Sequence, residues 1–557
     1  MVVASRPRGF GLFAAALRTR TSALMVAFGL SSGLPFSLLI GTLTAWLGEA
    51  KVNLATVGVL AFAGLAYAFK FLWSPLVDRV ALPLVGRLGR RKGWIVACQV
   101  LLIACLAALA ATDPATQIGR FALLAVLGAL ASATQDVAID GWRIDVADEV
   151  TPVELLSAFY QLGYRTAAII GGAFALFLAA RMSWPAVYLL MAGIMGVLLV
   201  IGLAAPERRI PAADRSAGLL AGEIAPGLRL TALAVVGGCW LGALVAIGWF
   251  MTAMLTPVSP GAKAPSAADF LRYEGPWIVV ATVLVPLAVA AATNRLRGRG
   301  KMAERLPRTG PSLAADHLYG ALVSPLAELS GRLGWGVVVV IGLILTYALC
   351  YNVWASFAYP FYLDYLHYSK DEVAFASKIF GIVMSILGVA VGGYLFLRLG
   401  RFPTLLLGAT LPIMGNFLYA DLAEGGAHID AAAHLLRLNL LAGAFGQDAR
   451  MTRLLMTICY ENISTGLAGA AFTAFVSGIV SKRFAAVQYA LLSSLTFLIG
   501  SLGKSVAGEA IDAHGYATVF RWVAVAGLPA IVLVLVEWWR ASRAGPAEEP
   551  GHTAELA

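Results

Sequence analysis

Gly393-Tyr-Leu-Phe-Leu397-Arg398-Leu399-Gly400-Arg401 closes one long apolar run and opens the next. The first half of the chain carries a matching landmark. Ser74-Pro-Leu-Val-Asp78-Arg79 ends an apolar run, and after an insertion Gly89-Arg90-Arg91-Lys92 opens the one that follows. A short turn of this kind uses Gly for close helix approach and Arg to pair with an acidic helix end, so it can hold two halves shut on one side. Either copy alone is weak; the pair at corresponding helices predicts two related halves. The copies differ at the acidic position of the pattern, which Leu397 occupies in the second. The other reading of Arg79, Arg90, Arg91, Arg398 and Arg401 is that they only set the direction of insertion.

Composition supplies the solvent. Of 557 residues 60% are hydrophobic and 13% charged, and the mean hydropathy is +0.81. So little charge cannot cover a water-soluble body of this size, so the expected surroundings are a lipid bilayer. The net charge of +10 sits in short segments between apolar runs, which argues for topology and against nucleic acid. Cys98, Cys105, Cys239, Cys350 and Cys459 all fall in apolar stretches without metal spacing, and read as small core residues. The six histidines lie in loops or near span ends, so no metal, cofactor or relay role is assigned to them.

A span needs about 20 residues to cross roughly 30 Å of hydrocarbon. Such runs fall near 24–47, 55–77, 94–112, 119–141, 156–180 and 184–205, then 229–255 and 276–293, then 335–363, 372–397, 402–420, 453–480, 485–507 and 516–540. The expectation is therefore an all-α membrane protein of about fourteen spans. Residues 1–205 form an N-terminal six-helix bundle. Residues 206–334 are a linker with two extra helices and a basic loop, 335–540 form a C-terminal six-helix bundle, and 541–557 a tail. The apolar run from Ala23 to Leu47 is too long for a signal peptide and should remain as the first span. Basic residues concentrate at the N-terminus, Arg79–Lys92, Arg208–Arg215, Arg295–Arg308 and the Arg540 tail, which places both termini in the cytoplasm. Residues 314–333 read either as an amphipathic segment on the inner leaflet or as a solvated linker.

Ionisable groups deep in a span are expensive and therefore functional candidates. Lys70, in Tyr67-Ala-Phe-Lys70, demands an anionic partner. In Ser132-Ala-Thr-Gln135-Asp136-Val-Ala-Ile-Asp140-Gly-Trp-Arg143, Asp136 and Asp140 share a helix face. Two carboxylates on one buried face repel, and sharing a proton relieves the repulsion, which is the property of a proton-coupling group. The alternative for Asp140 is a structural pair with Arg143. Tyr160-Gln161-Leu-Gly-Tyr164-Arg165 places a guanidinium midway along its span, to pair with Asp136 or to receive a substrate carboxylate. Tyr460-Glu461-Asn462 occupies the corresponding place in the second half, making Glu461 a second buried acid. Tyr347, Tyr351 and Asn352 give a polar aromatic face suited to sugar rings and amides, or to packing between helices.

These residues resemble the AmpG-type muropeptide permeases of the major facilitator superfamily. The match runs through Gly29-Leu-Ser-Ser-Gly33-Leu-Pro35, Thr42-Leu-Thr-Ala-Trp46-Leu, Lys70-Phe-Leu-Trp73-Ser-Pro75-Leu-Val-Asp78-Arg79 and Ala133-Thr-Gln135-Asp136-Val-Ala-Ile-Asp140. In the second half it includes Lys378-Ile-Phe380-Gly381, Glu461-Asn462 and Lys482-Arg483-Phe484-Ala-Ala-Val-Gln488-Tyr489-Ala-Leu-Leu-Ser493. The resemblance implies a major facilitator fold of two six-helix halves plus the inserted pair. It also implies a monomeric inner-membrane importer of N-acetylglucosamine-1,6-anhydro-N-acetylmuramyl peptides, driven by protons and serving cell-wall recycling and, in some bacteria, β-lactamase induction. Proton coupling then falls to Asp136, Asp140 and Glu461. Substrate binding falls to Tyr67, Lys70, Gln135, Gln161, Tyr164, Arg165, Tyr347, Tyr351, Asn352 and Asn462, and gating to Asp78, Arg79, Arg90, Arg91, Arg398 and Arg401. Ala348 and Tyr351 replace a Lys and an Asp typical of the family.

Two alternatives follow from that departure: a facilitator for another amphiphilic anion, acetyl-coenzyme A-like or siderophore, or a membrane sensor that binds without transport. A membrane enzyme is disfavoured by short outer loops without paired carboxylates, nucleophile elbow or metal cluster.

Overall fold

A computed structural model describes residues 16, 18–50, 61–207, 226–255, 267–296, 311–353 and 357–543. We label the long helices α1 (Arg20–Glu49), α2 (61–79, interrupted), α3 (Arg90–Ala110), α4 (Ile118–Asp145), α5 (Val153–Ala179), α6 (Trp184–Leu203), α7 (Pro226–Leu255) and α8 (Gly275–Leu296). There follow α9 (Gly336–Tyr347), α10 (Lys370–Leu399), α11 (Arg401–Ala423), α12 (Ala449–Ile479), α13 (Ala485–His514) and α14 (Tyr516–Arg543).

Eleven helices among the described residues are long and apolar enough to span a membrane. The number rises to twelve if Ser324–Leu333 and α9, set at 105°, count as one bent span. The expected count of about fourteen is thus not confirmed. Residues 61–79 break into Ala61–Ala68, a 3-10 turn Lys70–Leu72 and Ser74–Arg79, because Pro75 at the start of the last piece suits a new helix and not the interior of an old one. Residues 336–352 are likewise two pieces, and part of α13 lies outside the described side chains.

Helices of one half approach closely where glycine removes the side chain. A Cβ on Gly29 would lie 2.1 Å from the Tyr160 carbonyl oxygen, and one on Gly163 2.1 Å from that of Val26, so α1 and α5 pack backbone to backbone. Gly388 and Gly466 do the same for α10 and α12, with a Cβ 2.2 Å from the Ile463 oxygen and 2.3 Å from the Ser385 oxygen. The apolar residues left on the outside, such as Val200, Trp249 and Val338, form the surface that lipid covers.

The inserted pair is tied to both halves. Trp240 of α7 donates from Nε1 to the Thr282 oxygen of α8 at 3.1 Å, and its ring meets Phe71 of α2 at 6.1 Å. Val236, Ala243, Leu287 and Ala290 belong to the same buried cluster as Phe71 and Tyr489. Residues 314–333 pack in part against the rest of the protein. They fall in helices Pro311–Leu322 and Ser324–Leu333, the second burying Leu326, Leu329 and Leu333. Arg332 Nη2 donates to the Ile479 oxygen at 2.6 Å, Gln488 Nε2 to Glu328 Oε2 at 2.6 Å, and Asn294 Nδ2 to the Ala327 oxygen at 2.6 Å. The apolar side of Ser324–Leu333 thus has protein against it.

Candidate functional site: a charged interface between the halves

Following the chain, the start of α1, the 79–90 and 145–153 loops, Gly400, residues 480–485 and the end of α14 fall at one end of the bundle, which we call the basic end. Arg20 reaches the Ala204 oxygen there at 2.5 Å. At the opposite end Trp184 Nε1 donates to Glu49 Oε2 at 2.5 Å, and Arg453 forks onto Asp430 at 2.7 and 2.6 Å.

The halves meet toward the basic end. Asp78 ends α2 and places Oδ1 2.5 Å from Arg91 Nη1, while its Oδ2 accepts from the Val487 amide at 2.9 Å, in the first turn of α13. Arg91, 1% exposed, also reaches Asp145 Oδ2 at 3.1 Å, and Arg90 donates to the Asp78 carbonyl. Glu207 accepts from the amides of Arg91 and Lys92 at 2.9 and 3.1 Å, placing negative charge at the start of α3 where free N–H groups welcome it. Arg401 reaches across to Glu154 at 2.8 Å. Arg79 donates to the His317 oxygen at 3.1 Å, tying the linker in. Arg398 instead bonds Tyr394 on its own helix at 2.8 Å, away from the interface.

One layer deeper lies a four-charge chain. The broken α2 lets Lys70 leave its helix line, and its Nζ sits 3.8 Å from both Asp136 Oδ2 and Asp140 Oδ2. Asp140 Oδ1 meets Arg143 Nη2 at 3.1 Å. Arg143, fully buried, donates to Ser477 Oγ of α12 at 3.1 Å and lies over the rings of Tyr160 and Tyr489 at 5.0 and 4.9 Å. Ser32 Oγ donates to Asp136 Oδ1 and shares a hydrogen bond with Tyr160 OH at 2.7 Å. Gln161 Nε2 donates to Thr473 Oγ1 at 2.9 Å across the halves. Two cations and two carboxylates balance when both acids are ionised, and the last cation is the one that grips the other half.

Deeper again, Arg165 and Glu461 approach the bundle midplane from opposite halves. Each lies about 12 residues, roughly 18 Å, from the start of its helix. Both are half-buried and they interact electrostatically, yet no ion pair within 4.0 Å joins them among the described residues. Arg165 Nε is enclosed without a partner, and the Glu461 carboxylate accepts from Asn462 Nδ2 at 2.6 Å. Asp136 thus pairs with Lys70, and Arg165 stays available.

Of the other expected ligand-binding residues, Tyr164 and Asn462 are half-buried beside this space. Gln135 is fully buried, donating to Ser31 O and Oγ at 2.9 and 3.0 Å. Tyr67 bonds Ser132 at 2.5 Å. Tyr347 is 2% exposed, stacks on Phe472 at 5.1 Å and donates to the Leu405 oxygen at 3.2 Å, so it packs between helices. The side chains of Tyr351 and Asn352 lie outside the described residues. Sequence reasoning missed Ser31, Ser32, Glu154, Thr473, Ser477 and Gln99, whose Nε2 donates to Ser31 Oγ at 2.8 Å.

Comparison with known proteins agrees with this geometry. The anhydromuropeptide permease of Escherichia coli K12 is 28% identical over 518 residues, 92% of this chain and 79% of its own. The AmpG 4 transporter of Rickettsia conorii is 23% identical over 510 residues, 91% and 94% respectively. A family model described as acetyl-coenzyme A transporter 1 matches residues 22–118. Among solved structures, the proton:xylose symporter XylE superposes with a TM-score of 0.53 at 14% identity, covering 95% of each chain. FucP, in the outward conformation, gives 0.53 at 10% identity, covering 93% and 98%. The fold is that of a major facilitator, the resemblance to AmpG-type permeases is borne out, and the chain is a multi-pass membrane transporter and not an enzyme.

Proposed function

We propose that this transporter imports peptidoglycan-derived muropeptides into the cytoplasm together with protons. The observation that carries the reading is Arg165 and Glu461 facing each other from opposite halves near the midplane, with Arg165 Nε enclosed and without a partner. Arg165 and Lys70 supply cations for peptide carboxylates, Tyr164 a ring for a pyranose face, and Gln161 and Asn462 amides for acetamido groups. The AmpG-type relatives, aligned over most of the chain, favour that ligand over other amphiphiles.

The basic end is taken as cytoplasmic by the positive-inside rule. All inter-half hydrogen bonds and ion pairs found among the described residues, from Asp78–Val487 to Gln161–Thr473, lie on that side, while the outer ends of α5 and α10 meet through Ile169–Phe174 and Ala374–Phe380, so the polar latch belongs to the basic end. A proton on Asp136 or Asp140 leaves the four-charge chain with one excess positive charge. Asp140 then holds Arg143 less firmly, and the contacts of Arg143 with Ser477 and Tyr489 are those that must break to open the inner side. Substrate bound between Arg165 and Glu461 would bias the same equilibrium from the other direction. Uptake of labelled anhydro-muropeptide by proteoliposomes under an inward proton gradient tests the proposal. Uptake no greater than in empty vesicles refutes it.

A second reading, transport of an acetyl-coenzyme A-like anion, is favoured by the family-model match over residues 22–118 and by Ala348 and Tyr351 at positions charged in the family. Competition separates them: unlabelled muropeptide should displace the labelled form, and coenzyme A thioesters should not.

A further inference from the structure

On the side of α12 turned toward α11, a small recess is lined by Cys350, Asn416, Tyr419, Glu461, Ser464 and Thr465. Beside Gly415 there is room: a Cβ there would stand 3.7 Å from the Tyr460 ring and 4.0 Å from Ser464 Oγ. The space suits roughly one water-sized occupant.

The donors around it are committed elsewhere. Asn416, 2% exposed, gives both amide hydrogens to carbonyls, Cys350 O at 3.0 Å and Pro412 O at 2.9 Å. Its Oδ1 is buried without a partner. Ser464 Oγ donates to the Glu461 carbonyl at 2.9 Å and Thr465 Oγ1 to the Asn462 carbonyl at 3.3 Å. Cys350 Sγ donates to the Val523 carbonyl at 3.4 Å. The Tyr419 hydroxyl shares a hydrogen bond with Tyr362 OH at 2.7 Å. Apart from that tyrosine pair, the recess offers lone pairs only: an amide oxygen, two hydroxyl oxygens and a carboxylate. Such a surface repels anions and carbonyls and selects an occupant that is positive or donates hydrogen bonds. A single carboxylate is too little charge for a divalent ion. No group of three or more His, Cys, Asp or Glu that could hold a metal occurs among the described residues.

We infer that this recess binds one small monovalent cation, Na⁺ or hydronium, against Glu461. The inference deepens the coupling role proposed above for Glu461 and rests on it. The titratable groups facing Glu461 are Arg165 from α5, Tyr419 from α11 and Tyr362, while α10 brings only Gly381 against Asn462. The cation therefore neutralises the carboxylate that Arg165 faces without pairing, which leaves the Arg165 charge to a substrate anion.

The test uses the full chain in nanodiscs without substrate. Melting is followed against NaCl, LiCl and KCl at constant ionic strength, and intrinsic fluorescence is titrated with pH. Wild type is compared with Ser464→Ala, Asn416→Leu and Glu461→Gln. A sodium site gives saturable stabilisation by Na⁺ but not K⁺, weakened about tenfold by loss of one oxygen ligand and abolished in Glu461→Gln. A hydronium site gives no Na⁺ response, but a pH transition that moves in Ser464→Ala and Asn416→Leu and vanishes in Glu461→Gln. If wild type, Ser464→Ala and Asn416→Leu respond alike to both titrations, the inference is wrong. Muropeptide uptake is measured separately on the same preparations. A cation response without uptake overturns the transport reading alone; proton-driven uptake with indistinguishable titrations overturns the cation site alone.

Discussion

Arg143→Leu cuts the link between the buried acids and the opposite half. The side chain donates a charged hydrogen bond to Ser477 at 3.1 Å, worth about 1.5–3 kcal/mol, and lies over the Tyr489 ring at 4.9 Å, worth about 0.5–2 kcal/mol. Both contacts cross the interface, and both require it to be closed. Part of the gain is offset by the desolvation of a fully buried guanidinium, so we assign about 2–3 kcal/mol to the closed form, a factor of roughly 30–150 in population. The assay is labelling of a single cysteine at Ala158, which is 5% exposed and faces Gly393 across the interface, with the five native cysteines replaced. The labelling rate from the basic end should rise by about that factor. Loss of Arg143 also leaves Asp140 with Lys70 alone at 3.8 Å, so general destabilisation is a competing cause. Adding Asp140→Asn removes the stranded charge and should restore thermal stability while leaving the labelling fast. Equal labelling in wild type and Arg143→Leu would refute the claim that this residue carries the latch.

Asp136→Asn should abolish proton-driven uptake while leaving equilibrium exchange of substrate measurable, and full uptake by this variant would remove Asp136 from coupling. Gly393→Leu places a side chain where a Cβ already stands 2.9 Å from Ala158 Cβ, so spin-label distances across the basic end should shift to longer values. Gly163→Ala drives a Cβ into the Val26 carbonyl oxygen and should cost about 1–3 kcal/mol in thermal or denaturant melting. Outside the spans, hydrogen bonds from Arg453 hold the Asp430 carboxyl below its ordinary value. A depressed value means the clamp is fully present above about pH 4 and is lost only as pH falls through the lower, folded-state value. The protection of residues 427–435 against hydrogen exchange, relative to the intrinsic rate at each pH, should therefore be the same at neutral and mildly acidic pH and fall only under stronger acid.

The parts of this design readable from the chain were those fixed by one helix or one loop. Asp136 and Asp140 on a shared face, Arg143 three residues beyond Asp140, and Lys70 in need of an anion all follow from helical spacing and the cost of buried charge. Glu461 was reached through its likeness to Asp136. The missed residues are ordinary Ser, Thr, Gln and Glu, and nothing in their local sequence marks them. Ser32 matters because α1 packs so closely on α5, and Ser477 because α12 packs on α5 within reach of Arg143; those are tertiary facts. Tyr347 shows the converse. Its neighbours give it a polar aromatic face, but Gly408 on α11 opens a slot for its hydroxyl, and packing claims it. The span count is left unconfirmed for a related reason, since the turn at Lys70–Leu72 breaks a run that hydropathy alone reads as continuous.

The two loop landmarks that first indicate a repeat have diverged in use. In the first half the acid is retained, and Asp78 holds its own Arg91 with one oxygen and the amide end of α13 with the other. In the second half Leu397 stands at the acidic position, Arg398 turns to Tyr394, and only Arg401 crosses, to an acid that the other half provides in Glu154. A symmetric pair of latches would place two buried acids at the interface, each needing its own compensating cation. The observed arrangement needs one buried triad and one half-exposed pair, whose worth is near 0–1 kcal/mol. The inner side is therefore held chiefly by Asp78 and Arg143, both from the half that carries Asp136 and Asp140. On the proposed coupling, protonation and closure are thus governed from the same side of the interface, and the second half contributes Glu461 and Asn462.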